Sequence, residues 1–292
     1  MPASAVSRTA QFMALFRALE SARSPERRLF HDPLARTLLP PVLRTVAHLA
    51  QLPVAGRLVP LIIDRRWPGA RTSAVARTSA IDALVAAALR DGVDQVVLLG
   101  AGFDARAVRL AGLDRAHVIE VDRPAMVAVT RERVGRAHGS LPAHVTYAAA
   151  DFERAPLAAV LADAGFDRSR PAFFVWEGVS HYLDAEGVDA TLRTVAASAR
   201  GTRLAMTYVH RGAIDGSKPF DGMRALRGTL ERAGERWTFG LDPDELVDYL
   251  GERGLRLRRD IGSVEYRAEH LGATTRNLKG YVFYRLALAE VA

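Results

Sequence analysis

Three carboxylates and two glycines set the chemistry open to this chain. Gly100 and Gly102 stand in Gln95-Val-Val-Leu-Leu-Gly-Ala-Gly-Phe-Asp-Ala-Arg106, where an aliphatic run ends in a turn and a helix start. Glycine lets such a turn approach a ligand closely and aim backbone N–H groups at it. Asp122 follows Gly102 by twenty positions and ends His117-Val-Ile-Glu-Val-Asp122, where a nucleoside cofactor presents its ribose hydroxyls. Asp151 follows the run Val145–Ala150, and Glu177 follows Ala172–Trp176. Each acid therefore sits at the carboxyl end of a strand, the ligand-binding edge of a parallel sheet.

The elements that position these residues alternate. Strands at 95–99, 117–122, 145–150, 172–176 and 203–209 are separated by helical stretches, which implies a doubly wound α/β fold with helices on both faces. Leu255–Ile261 and Gly280–Ala287 read as two final strands, giving a mostly parallel sheet of seven. One domain is expected. Residues 1–92 form a helical N-terminal extension suited to be a lid, 93–209 the cofactor-binding core, 210–240 a mobile insert over the site, and 241–292 a C-terminal helix with the last strands. Within the extension, Ala10–Ala22 carries an apolar stripe. Asp32 and Pro33 predict a helix to about Leu39, ended by Pro40-Pro41. Pro53, Pro60 and Pro68 predict short pieces, and Ser73–Arg90 a long helix. Further on, Asp184 caps a helix that stops by Gly201, and Asp242-Pro-Asp-Glu245 starts one that Gly254 closes.

Composition excludes several classes. The 292 residues are 49% hydrophobic, which fits a globular protein, and contain no cysteine, so disulfides, zinc–thiolate sites and thiol nucleophiles are ruled out. The net charge of +7 invites a nucleic-acid reading, but 38 of the 40 basic residues are arginines scattered among acids and alanines. The apolar stretch Leu52–Ile63 is too short to span a bilayer, and the N-terminus lacks a basic-then-apolar leader. A cytoplasmic protein is expected, monomeric or homodimeric, with neither nucleic acid nor membrane as partner.

Two cofactors compete for the glycine turn. Gly100-Ala-Gly-Phe-Asp-Ala105 fits the G-x-G-x-x-A pattern of a dinucleotide oxidoreductase using NAD. Dinucleotide folds usually open near the chain start, however, and the further acids Asp151 and Glu177 at the ends of the third and fourth strands would repel a pyrophosphate. S-adenosylmethionine has no phosphate, carries a sulfonium and an ammonium, and offers hydroxyl and amine donors, so a ring of carboxylates suits it. The bland alternative is that each acid merely caps the helix after its strand.

At these residues the chain resembles the leucine carboxyl methyltransferase family, within its branch of bacterial S-adenosylmethionine-dependent O-methyltransferases. The resemblance rests on Arg17-Ala-Leu-Glu20, Asp32-Pro-Leu-Ala35, Ala76-Arg-Thr78 with Asp82, Val97–Ala107, Glu120-Val-Asp-Arg-Pro124, Asp151-Phe152 and Glu177-Gly-Val-Ser-His-Tyr-Leu183. It implies a class I, Rossmann-like methyltransferase fold and assigns roles. Arg77 pairs with the cofactor carboxylate, Gly100 and Gly102 line its methionine side, Asp122 binds the ribose, and Asp151 and Phe152 hold the adenine. Glu177 lies near the cofactor ammonium and Tyr182 faces the reacting centre. Asp104 and Arg106 read as an ion pair shaping the turn. Ala101 and Arg123 complete the cofactor-binding candidates. The residues after Tyr208 match no substrate pocket of the family.

Methyl transfer from a sulfonium is an in-line displacement in which the enzyme's task is alignment and desolvation. A carboxylate acceptor is ionised at neutral pH and needs only donors to orient it. A hydroxyl acceptor would need a base, and His181, beside Tyr182, is better placed than His210. The preferred reading is methylation of a small carboxylic acid of polyketide or lipid-derived type, without a metal. A hydroxyl O-methyltransferase, an RNA or protein methyltransferase and a non-enzymatic descendant are the rivals.

Overall fold

The computed structural model describes residues 6–152, 155–271 and 279–292. Seven strands, β1 Gln95–Leu99, β2 His117–Asp122, β3 Val145–Ala149, β4 Phe173–Trp176, β5 Arg203–Val209, β6 Leu255–Gly262 and β7 Tyr284–Val291, form one sheet in the order β3-β2-β1-β4-β5-β7-β6. The first five are parallel, and β7 slots antiparallel between β5 and β6. Leu99 pairs with Val121, so Gly100 and Asp122 emerge side by side. Leu98 pairs with Val175, which carries Glu177 to the same edge.

The helices are α1 Arg8–Ser21, α2 Pro41–Leu49, α3 Ala55–Arg66, α4 Ala70–Arg90, α5 Arg106–Arg109, α6 Pro124–His138, α7 Leu157–Asp163, α8 Ala185–Ala196, α9 Arg211–Asp215, α10 Met223–Ala233, α11 Leu246–Gly251 and α12 Ser263–Leu271. Both faces of β1 are buried, as its unbroken aliphatic run requires. Val97 and Leu99 pack toward Leu161 of α7 and Val188 and Leu192 of α8. Val96 and Leu98 pack toward Ile81 and Val85 of α4. The N-terminal extension has a core of its own, in which Leu15, Phe16 and Leu19 of α1 meet Leu34, Leu38, Val75 and Phe103. By length and composition α4 could cross a membrane, but most of it is buried within the protein.

Three expectations are corrected. The helix predicted from Pro33 to Leu39 is a series of turns. Asp32 does act as a cap, accepting the Leu34 and Ala35 N–H groups at 3.1 and 2.8 Å. One bond of the α-helical kind forms, from the Leu38 N–H to Leu34 O at 3.0 Å; the Leu39 N–H bonds Arg36 O at 3.3 Å instead, and Pro41 then opens α2 at the position where proline is favoured. Second, α3 runs through Pro60 rather than breaking there. The carbonyl deprived of its donor belongs to Gly56, which is partly open to water. Third, the last strand is Tyr284–Val291, because antiparallel pairing with β5 begins at Val209 opposite Tyr284. Tyr281 instead donates its N–H to Ser73 Oγ at 2.9 Å.

Asp32 also holds Arg17 Nε at 2.8 Å, with its carboxylate fully buried. Asp32→Ala is expected to leave Arg17 uncompensated and to cost about 3 kcal/mol. Limited proteolysis should then cut within 23–39 faster than in the wild type; an unchanged cleavage pattern and unfolding midpoint would show that the cap is dispensable.

Candidate active site

A cavity of about 610 Å³ opens over the carboxyl ends of β1, β2 and β4, within the range of small-molecule sites (about 300–1,000 Å³). All nine cofactor-binding candidates line it: Arg77, Gly100, Ala101, Gly102, Asp122, Arg123, Asp151, Phe152 and Glu177. Ala10, Met13 and Arg17 of α1 and Ser73 and Ala74 of α4 supply one wall; Leu226, Leu230, Arg236 and Trp237 of the insert supply another. Residues of both the N-terminal extension and the 210–240 insert thus line the cavity.

The glycine turn is built differently from expectation. Gly100 and Gly102 do take positive φ, +66° and +57°. A Cβ on Gly100 would come within 2.3 Å of Val179 Cγ2, and one on Gly102 within 3.3 Å of Ala10 Cβ, so α1 packs directly onto the turn. The N–H groups are not free, however. Gly100 and Ala101 donate to Val121 O at 2.7 and 3.2 Å, and Gly102 donates to Asp122 Oδ2. A pyrophosphate would need those donors. Asp122 Oδ1 accepts the Arg123 N–H at 2.7 Å, and burial raises the Asp122 pKa despite both hydrogen bonds.

Beneath the turn lies a buried ion network. Glu177 accepts Arg77 Nε on Oε1 and Arg106 Nη2 on Oε2, each at 2.8 Å. Arg106, 2% exposed, also holds Asp82 through Nε at 2.7 Å and Asp104 through Nη1. Arg109 binds both oxygens of Asp82 at 2.7 and 2.8 Å. The Asp104–Arg106 pair is thus present, as one limb of a larger cluster. Burial alone would raise the Glu177 carboxyl, but Arg106 and Arg77 hold it down at about 2. Burial opposes the charge of Arg106 too, and Asp104, Glu177 and Asp82 raise its pKa well above the ordinary value. Arg77, expected to serve the cofactor carboxylate, already shares Glu177 and stands 5.0 Å from the Tyr284 ring.

The far wall is aromatic. Tyr182 reaches the cavity, and its hydroxyl donates to Glu235 Oε2 at 3.0 Å; burial first, and then Glu235, raises its pKa. Glu235 is 2% exposed and also accepts from Ser7 Oγ and the Thr9 N–H, each at 3.3 Å, and from Thr9 Oγ1. His181 is a correction. It does not line the cavity: its Nε2 lies 3.0 Å from the Tyr284 hydroxyl, and its ring packs against Trp237 and Tyr284. Burial, with Arg77 nearby, pushes its pKa down to about 3. His210, also outside the cavity, caps α9 by accepting the Gly212 N–H. Neither imidazole borders the cavity. Sequence reading missed Glu235, Arg236, Trp237, Tyr281 and Tyr284; the one signal was the close run of aromatics in Tyr281-Val-Phe-Tyr284.

The sheet order, the reversed β7 and a cavity ringed by acids at the strand ends define a class I S-adenosylmethionine-dependent methyltransferase. Solved structures share the architecture: a DUF574 family protein from Streptomyces avermitilis (TM-score 0.64, 14% identity, 99% of each chain) and a candidate methyltransferase from Thermobifida fusca (0.60, 21%, 89% of this chain and 93% of that one). The chain belongs to the leucine carboxyl methyltransferase family, whose pattern it matches over residues 10–196. A Streptomyces coelicolor protein named as a candidate S-adenosyl-L-methionine-dependent methyltransferase is 36% identical over 265 residues, covering 86% of this chain and 83% of its own. A similarly named protein from Mycolicibacterium gilvum is 32% identical over 263 residues, 86% of this chain and 81% of its own. S-adenosylmethionine is the cofactor, and the reaction is methyl transfer.

Acid should loosen this wall in two stages. The folded state depresses the His181 pKa from 6.5 to about 3, so its contribution is full above 6.5 and is lost as pH falls through that window. Glu177, depressed from 4.5 to about 2, follows lower down. Urea midpoints measured against pH should fall below about pH 6.5. His181→Gln should reduce the slope between about pH 6.5 and 4.5, to which His210 and His270, also held down by burial, contribute as well, while the steeper acid limb remains. The same slope in the variant would refute the burial of a neutral imidazole.

Proposed function

We propose that the chain is an O-methyltransferase that esterifies the carboxylate of an apolar small acid, and that Arg236 is the counter-ion of that carboxylate. The observation that carries the reading is an uncommitted cation in a cavity that, among the described residues, no histidine lines. Of the four arginines lining the cavity, Arg17 holds Asp32, Arg77 holds Glu177 and Arg123 is engaged. Arg236 makes no hydrogen bond or ion pair among the described residues and stands next to Trp237 in the wall that Tyr182, Tyr281 and Tyr284 continue. An ionised acceptor needs such a donor and no proton removal. A hydroxyl acceptor would need a base, and Tyr182, held neutral and donating to Glu235, is not one.

The cofactor, when bound, supplies an electrophilic methyl group on a sulfonium. Asp122 retains lone pairs for ribose hydroxyls beyond the N–H bonds it accepts, and Asp151 with Phe152 takes the adenine. Arg77 keeps guanidinium donors for the methionine carboxylate, and Glu177 supplies negative charge for the ammonium. Holding Glu177 between two arginines fixes its carboxylate in place, which is what alignment of the methyl group requires.

Two variants test these roles separately. Asp122→Ala should weaken S-adenosylmethionine in calorimetric titration by more than tenfold with circular dichroism unchanged; wild-type affinity would remove Asp122 from the site. Arg236→Ala should raise KM for an aryl or alkyl carboxylic acid about 30-fold, roughly 2 kcal/mol, and leave cofactor affinity alone. Faster turnover of phenols than of acids by the wild-type protein would replace the carboxylate reading with the hydroxyl one.

A further inference from the structure

The α2–α3 hairpin is apolar on two sides. Its inner side is anchored: Ala47, Ala50 and Ile63 are buried in the core of the extension. Its outer side is not. Of ten large apolar side chains exposed among the described residues, seven lie between 42 and 62. On and just before α3, Val54, Leu58, Leu61 and Ile62 follow one another at i, i+4, i+7 and i+8, a single helical stripe. Val42 (74% exposed) and Leu49 repeat the pattern on α2, seven residues apart. Such a surface marks an interaction site rather than a solvated face.

Charge identifies the partner. From Pro41 to Arg71, the hairpin and the residues just after it, there are five arginines and one acid, Asp64, whereas the whole chain has 40 basic to 33 acidic residues. Asp64 is committed to Arg71. Arg57, Arg65 and Arg66 are exposed beside the stripe. A second copy docked through the same patch would bring two arginine rims together. We propose that this hairpin seats the protein on an anionic lipid surface, with the stripe lying in the headgroup–acyl boundary and the arginines among the phosphates. The stretch is too short to span a bilayer, and an interfacial helix need not span. The hairpin backs onto α1, whose inner side lines the cavity, so the seated enzyme presents its covering helix toward a phase in which apolar acids dissolve.

Flotation with phosphatidylglycerol–phosphatidylcholine vesicles tests this without reference to the methyl acceptor. The wild-type protein should float with mixed vesicles, bind phosphatidylcholine alone at least roughly tenfold more weakly, and be released by high salt. Leu58→Asp/Leu61→Asp/Ile62→Asp and, separately, Arg57→Gln/Arg65→Gln should each reduce the bound fraction by roughly tenfold. All five positions are exposed, so melting temperature and S-adenosylmethionine affinity should not move. The proposal is overturned if the wild-type protein ignores both vesicles or binds them equally. It is also overturned if light scattering finds a dimer that the triple aspartate variant dissolves, which would give the patch to a second copy.

Discussion

Arg106 is the residue on which the site depends. A guanidinium taken this far out of water costs several kcal/mol unless its donors are met, and it meets three carboxylates from three parts of the chain. Asp82 comes from α4, Asp104 from the glycine turn and Glu177 from the loop after β4. Arg77, Arg109 and Arg17 extend the cluster to α1 through Asp32, which lies 3.9 Å from Arg109 Nε. The members counted this way carry four positive and four negative charges, Arg17, Arg77, Arg106 and Arg109 against Asp32, Asp82, Asp104 and Glu177. Hydrophobic packing tolerates small slips between a helix and a sheet; a chain of bidentate and forked ion pairs does not. The network is therefore what fixes the extension in register with the strand ends.

That dependence explains what was legible in the sequence. Hydrophobic runs and their spacing are local properties, so β1 to β5 and the strand-end acids could be read directly. The register that places Gly100 beside Asp122 follows once β1 and β2 are parallel neighbours. The role of the acids was legible only in part. Asp122 was read as a ligand group, and the structure shows it also bracing the turn through Gly102. Glu177 was read as a cofactor neighbour, and it is first of all an ion-pair partner. A side chain's commitments depend on residues a hundred positions away and more, as Glu177 is from Arg77 and Glu235 from Thr9, and no spacing rule reaches so far.

Where reading failed locally, a competing constraint won. Asp32-Pro33 has the composition of a helix start, and Asp32 caps as expected, yet after one i→i−4 bond the Leu39 N–H tightens onto Arg36 O and the turn is not propagated. His181 looked like a base because it neighbours Tyr182. On a 3₁₀ turn, adjacent side chains diverge, so Tyr182 reaches the cavity while His181 turns into the aromatic core. The aromatic wall was invisible because it is assembled from the insert and from Tyr281 and Tyr284, which no local pattern joins.

The same helix serves both halves of the cavity. At its first turn α1 gives Thr9 and Ser7 to Glu235 of the insert, and Tyr182 shares that carboxylate. One residue on, Ala10 rests against Gly102. A carboxylate at a helix N-terminus is stabilised by the unpaired N–H groups there, so the contact anchors the start of α1 to the insert. A rigid helix cannot withdraw Ala10 from the glycine turn without also pulling Thr9 off Glu235. The glycine turn and the buried Glu235 carboxylate are thus tied to one another through two adjacent residues of a single helix.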